Sequence, residues 1–260
     1  MFVALFIFLV TKEVNADKIV SLAPVITEIV LSLGKGSDLV GVTDLCEVSP
    51  ELNPKKLGNY NTISSEAAIA LAPSLVLLMK DQRGQAVHFK KMGIKTLEIQ
   101  LNSLSDITSN IEEMSKALKV EVDGKNLVSS IKSKINEILL TKIEEKKILF
   151  TFGDASQITN TTGLYVSGNN TIYDEIIKSL KYINVVTQSG YPLMSVEGVC
   201  SLKPDCIIIA TDRALDQRFK EALSGCLSHA KIITAPKNPT LYPGMRISEI
   251  YQQFIRCDSE

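Results

Sequence analysis

Two stretches of the chain carry nearly the same phrase, and that repetition limits the fold more than any other feature. "SSEAAIALAPSLVLL" spans Ser64–Leu78, and "SVEGVCSLKPDCIII" spans Ser195–Ile209. Ser64, Glu66, Leu71 and Pro73 reappear as Ser195, Glu197, Leu202 and Pro204 at one constant offset, which Tyr60 and Tyr191 share. A second pair, "TEIVLSLG" from Thr27 and "DEIIKSLK" from Asp174, places Glu28 and Glu175 in matching positions. Each long phrase predicts a serine-capped helix with an acid in its first turn, a proline stop and a buried strand. A chain that repeats such a unit predicts two similar lobes.

At 260 residues the chain is long enough for two modest cores. The formal net charge of −1 gives no field that would draw nucleic acid or an acidic membrane. The opening "MFVALFIFLVTKEVNA" has an apolar run too short to span a bilayer, followed by the small-residue pattern Val14-Asn15-Ala16. It reads as an export signal over residues 1–16; a buried first strand is the alternative. No Lys or Arg precedes the run, which fits a truncated start, and no cysteine closes it, which argues against a lipid anchor. No later segment has the length of a membrane span, so the exported chain is expected to be soluble and periplasmic.

Five cysteines in an oxidising compartment leave at least one without an intramolecular partner. Cys46 stands alone in the first half; Cys200, Cys206, Cys226 and Cys257 lie in the second. No CxxC spacing occurs, and His88 and His229 are the only histidines, so no metal centre or cofactor is expected.

From residue 17 apolar strands and helices alternate. "KIVSLA", "LVGVT", "SLVLLM" and "KTLEI" read as strands, with helices over Thr27–Leu33 and Gln85–Met92. This order predicts an α/β fold with mainly parallel sheets. Pro50 and Pro54 keep the polar segment Asp44–Asn61 irregular. Leu127, Ile131, Ile135, Ile138 and Leu139 recur at helical spacing, predicting one long linker helix over 122–145. The expected organisation is an N-terminal lobe (17–121), the linker (122–145) and a C-terminal lobe (146–260). A ligand cleft between the lobes follows, and a continuous helix predicts only a small closing motion.

The pattern K-I-V-S-L-A-P-x-x-T-E-I, then V-G-V-T-D-x-C, then S-x-E-A-x-x-A-L-x-P-x-L-V-L resembles the helical-backbone class of ABC-transporter substrate-binding proteins, most closely its cobalamin-uptake members. The likeness covers essentially the whole chain after residue 17. It implies that Glu66 and Glu197, one on each lobe, dock against arginines of a two-fold symmetric permease dimer. It also implies that Tyr60, Tyr191 and Tyr165 are cleft aromatics facing a corrin. Leu45 and Met79 stand where the class often has aromatics. Cys46 matches a cysteine of related cobalamin binders: a cobalt contact, or a small apolar side chain. Arg246, in "YPGMR", lies with Tyr242 at the cleft mouth or ties down the last helix.

The resemblance therefore implies a periplasmic, monomeric protein that carries cobalamin or a related corrinoid to an ABC importer. Haem and ferric siderophores are the alternatives within the class. A ligand-free sensor or docking module would keep the fold and the glutamates. An enzyme finds no support: G-x-S-x-G, P-loop and GxGxxG motifs are all absent.

Overall fold

The computed structural model describes residues 17–152, 163–212 and 228–258. The expected signal segment and Cys226 lie outside these residues. The first sheet contains β1 (Ile19–Ser21), β2 (Leu39–Val42), β3 (Lys55–Lys56), β4 (Leu75–Met79) and β5 (Lys95–Ile99). All its pairings are parallel, in the order β3-β2-β1-β4-β5. The second contains β6 (Lys147–Phe152), β7 (Leu164–Val166), β8 (Ile183–Asn184), β9 (Leu193–Met194), β10 (Cys206–Ala210) and β11 (Lys231–Ala235). Its parallel part pairs β8-β6-β10-β11, matching β2-β1-β4-β5 of the first sheet strand for strand. The repetition in sequence is thus a repetition in topology. The second sheet departs by adding β7 and β9, both antiparallel, on one edge of β6.

Alternation along the central strands decides how the lobes meet. Ile19 and Leu77 point to one face of the first sheet, while Val20, Val76 and Leu78 point to the other. Ile148, Phe150 and Ile208 likewise oppose Leu149, Ile207 and Ile209. The first set from each sheet belongs to one continuous core, whereas the second sets form a separate cluster on each lobe. Between the inner faces lie α1 (Pro24–Ser32), α4 (Leu104–Ala117), α5 (Glu121–Leu139), α6 (Ile172–Ser179) and α8 (Ile247–Ile255). The outer faces are covered by α2 (Ser65–Ala70) and α3 (Arg83–Lys91) on one lobe and by α7 (Val196–Leu202) on the other. Both faces of each parallel sheet are therefore covered, as such sheets require.

The linker differs from the expectation at its end. Helix α5 starts at Glu121 but stops at Leu139, and residues 140–146 run irregularly into β6. Its buried stripe is Val128, Ile131, Ile135 and Ile138; beyond Ile138 the next two residues, Leu139 and Leu140, are 39% and 85% exposed. Lys146 instead pairs with Asp258 at 2.7 Å and donates to the Cys257 carbonyl at 2.9 Å, drawing the segment towards the chain's end. Helix α4, which the sequence analysis did not place, packs against α5. Gly124 permits this contact, since a Cβ there would lie 2.1 Å from the Ser115 hydroxyl. A disulfide joins Cys206 on β10 to Cys257 just past α8. Cys200 is also disulfide-bonded, and Cys46 is free.

The second repeat, on α1 and α6, has a physical role in this arrangement. Glu175 on α6 accepts the Leu104 backbone N–H at 3.0 Å, satisfying a free donor at the start of α4 in the opposite lobe. Glu28 on α1 faces Asn238 and Arg246, both in the segment after β11. Each glutamate thus faces the segment that follows the other lobe's last long strand. Their energetics differ. Burial pushes the Glu28 carboxyl up, Arg246 opposes this, and the nearby Glu47 and Glu249 add to the rise. A carboxyl raised on folding favours the folded state at low pH, and that contribution is lost as pH rises through the raised value. Ionised Glu28 is then a net cost at neutral pH. Glu28→Gln is accordingly expected to leave stability at pH 7 equal to or above wild type in urea unfolding. Glu175→Ala should lose about 1 kcal/mol, as for a lost helix-terminal acceptor. Equal losses in both variants would show that the two contacts are energetically alike.

Candidate functional site

Ligands of open parallel sheets bind beyond the carboxyl ends of the strands, and the expected site residues lie there in both lobes. In the N-terminal lobe the chain leaves β2 into the long segment 43–61, interrupted by the two-residue β3. Lys56 holds this loop by donating to the carbonyls of Thr43, Asp44 and Cys46 at 3.4, 3.2 and 2.7 Å. Leu45, on its outer side, is 63% exposed. Tyr60, near its end, is half-buried, and its hydroxyl donates to Asp81 at 2.7 Å. Asp81 follows Met79, the half-buried last residue of β4. Burial and then the Asp81 carboxylate push the Tyr60 phenol well above its ordinary range.

Cys46 is placed differently from a ligand contact. It is 3% exposed, and its sulfur sits 3.1 Å from the Thr27 hydroxyl and 3.0 Å from that of Thr43. Two hydroxyls from α1 and the end of β2 enclose the thiol in the manner of a small buried side chain.

In the C-terminal lobe a run of rings leads from the core to the surface. Phe254 stacks on Phe150 with centroids 5.7 Å apart, and Phe150 stacks on Tyr173 at 4.0 Å. Phe152, the last residue of β6, lies parallel to Tyr165 at 6.4 Å and edge-on to Tyr191 at 5.2 Å. Tyr191 also meets Tyr173 edge-on at 6.4 Å. Tyr165 and Tyr191 remain 52% and 45% exposed, so the outer ring faces are free to meet a ligand. Burial raises the Tyr191 phenol, because its inner edge packs against the ring cluster even though its outer face is open. The loop carrying Tyr191 is pinned by Gly168, whose N–H donates to the Gly190 carbonyl at 2.8 Å. A Cβ on Gly168 would lie 1.8 Å from the Gln188 carbonyl, so only glycine allows this approach.

Of the remaining expected residues, Tyr242 is 39% exposed, while Arg246 is committed elsewhere. Its guanidinium donates twice to Glu249 at 2.7 and 2.8 Å and once to Asn238 at 3.3 Å, with Glu28 and Glu47 nearby. Of its two expected roles, the structure favours tying down α8. Glu66 and Glu197 are exposed in the first turns of α2 and α7. Ser64 accepts the Ala67 N–H at 3.2 Å and Ser195 the Gly198 N–H at 3.1 Å, so both predicted caps form. The Glu197 carboxyl is held below its ordinary range by its own backbone N–H and the Ser195 hydroxyl.

His88 and His229 are both exposed, and no cluster of His, Cys, Asp and Glu suited to a metal occurs among the described residues. No helix among them is long and apolar enough to cross a membrane. Sequence reasoning missed Asp81 and Phe152. Phe152 ends an apolar strand, "KILFTF", and its position at the carboxyl end was the available signal. Asp81 offered none, since its link to Tyr60 spans twenty-one residues.

A family model described as "Periplasmic binding protein" matches residues 19–223. Among curated proteins, an "Uncharacterized ABC transporter substrate-binding lipoprotein" of Bacillus subtilis is 27% identical over 256 residues, covering 92% of this chain and 79% of the relative. A "Vitamin B12-binding protein" of Vibrio parahaemolyticus is 26% identical over 207 residues, covering 74% and 70% of the two chains. Among solved structures, a periplasmic haem-binding protein of Vibrio cholerae superposes with a TM-score of 0.80 at 19% identity, over 95% of this chain and 100% of that one.

The enclosure of Cys46 predicts its reactivity. In native protein a colourless-to-coloured disulfide reagent should label it only at the rate of local opening, and fully once denaturant is added. Labelling as fast as a free thiol would place Cys46 on the surface.

Proposed function

As the chain belongs to the periplasmic binding protein family, the substrate-binding components of ABC importers, we propose that its cargo is cobalamin or a related corrinoid, delivered to a membrane permease. The observation that carries this reading is the open-faced aromatic group of Phe152, Tyr165 and Tyr191, with Tyr60 at the corresponding end of the other lobe. Flat rings at both strand ends suit a broad, mostly apolar macrocycle with a polar rim, giving large contact area at little entropic cost. Leu45, Met79 and Tyr242 extend the apolar surface. Among the described residues, Arg246, the cation expected at the cleft mouth, is already paired with Glu249, which argues against an anionic siderophore. Members of this family capture ligands and are not enzymes. Export to the periplasm, action as a monomer and the absence of a bound cofactor complete the proposal.

Titration of the purified chain with cyanocobalamin, haemin and a ferric chelate by calorimetry tests the cargo. Saturable one-to-one binding of cyanocobalamin is expected; tighter binding of haemin would move the assignment to a haem carrier. Tyr60→Ala and Tyr191→Ala should each weaken binding by about 1–3 kcal/mol.

Glu66 and Glu197 are proposed to dock the two halves of the permease dimer. Their exposure fits this role, and exposed charge pairs contribute more to orientation and on-rate than to affinity. Glu66→Ala/Glu197→Ala should bind cargo normally, yet fail to support uptake in vesicles containing the permease, with each single variant intermediate. Wild-type uptake by the double variant would reduce both residues to helix-capping acids.

A further inference from the structure

The Tyr60–Asp81 contact adds a rule about how a metal-bearing ring can be held, which rests on the corrinoid reading above. Tyr60 lies near the end of the segment 43–61, whose start is fixed by Lys56, while Asp81 stands just past β4, in the 3-10 turn Lys80–Gln82. The 2.7 Å hydrogen bond therefore fastens the loop to the sheet and fixes the tilt of the phenol ring. It also fixes the chemistry of that oxygen. A tyrosine that ligates ferric iron does so as a phenolate, which a neighbouring cation assists and a neighbouring carboxylate opposes. Here the group that faces the hydroxyl is a carboxylate, and it takes the proton as a hydrogen bond without removing it.

We propose that Asp81 is a positioning residue that locks Tyr60 as a neutral, oriented ring. Tyr60 then engages a macrocycle by ring contact and hydrogen bonding, not by a tyrosinate–metal bond. Such a site accepts a ring whose metal already carries both axial ligands, as in cyanocobalamin. It gives no oxygen ligand from Tyr60 to an iron ring that lacks one. The strong rise of the Tyr60 phenol agrees with the same lock.

The test uses the full chain in four forms: wild type, Tyr60→Phe, Asp81→Ala and the double variant, with Asp81→Asn as the conservative control. Tyr60→Phe and Asp81→Ala should each weaken cyanocobalamin binding roughly threefold to tenfold, the range for one hydrogen bond. The double variant should be no weaker than either single one, and Asp81→Asn, which keeps an acceptor, should recover most of the loss. Additive losses overturn the claim that Asp81 acts through Tyr60. Haemin added to wild type should give no ferric–tyrosinate charge-transfer band that disappears in Tyr60→Phe; such a band overturns the lock. A wild-type chain that binds neither ring overturns the corrinoid reading alone. The lock is decided separately in ligand-free protein by the chemical shift of the Tyr60 phenolic carbon, assigned with Tyr60→Phe. Asp81→Ala should move that shift, and an unmoved shift overturns the proposal.

Discussion

The packing of the two sheets' inner faces onto one shared layer of helices is the interaction on which the rest of this structure depends. Ile19 and Leu77 from one sheet and Ile148, Phe150 and Ile208 from the other enter the same core, with Ile111, Ile131 and Ile135 of α4 and α5 between them. Were each lobe closed around its own core, a single linker would set their relation. Instead, separating the lobes would expose apolar side chains at about 25 cal/mol per Å². The helical layer thus acts as a common floor, and the carboxyl ends of both sets of strands are held in a fixed relation. The cross-lobe contacts of Glu28 and Glu175 add orientation more than energy, since one of them carries a desolvation cost.

Much of this was legible in the sequence because the informative patterns are local. The serine caps of α2 and α7 and the strand Lys95–Ile99 follow from periodicity and capping alone. The two-lobe architecture followed from the repeat. What was missed depends on partners distant along the chain. Helix α4 carries Thr108, Asn110 and Ser115 on its buried side, so its stripe is broken by polar residues that only α5 and the preceding loop explain. The early end of α5 depends on Lys146 reaching Asp258, more than a hundred residues away. The antiparallel β7 and β9 are too short to carry a pattern of their own.

The candidate site shows the same division. The tyrosines stood out because tryptophan is absent and because two of them flank the repeated phrase. Their settings were not legible, and they differ between lobes. Tyr60 is braced by a carboxylate, whereas Tyr191 and Tyr165 lean on a ladder of phenylalanine and tyrosine rings reaching the core. Topological symmetry is therefore kept at the capped helices that carry Glu66 and Glu197, and lost in the settings of the tyrosines. Arg246 and Cys46 illustrate the limit of matching residues by position. Each has the right type for a cleft, but Glu249 occupies the one, and Thr27 and Thr43 enclose the other.

The central claim is that the shared core fixes the lobes before any ligand arrives. Its most direct test is the distance between spin labels on Lys91→Cys and Ser201→Cys, exposed positions in the outer helical layers of the two lobes. Pulsed dipolar spectroscopy on the ligand-free chain should give one narrow distribution, moving by less than about 2 Å when cyanocobalamin is added. A broad or two-peaked distribution in the ligand-free chain would contradict the account, because lobes that share one core cannot adopt two separations.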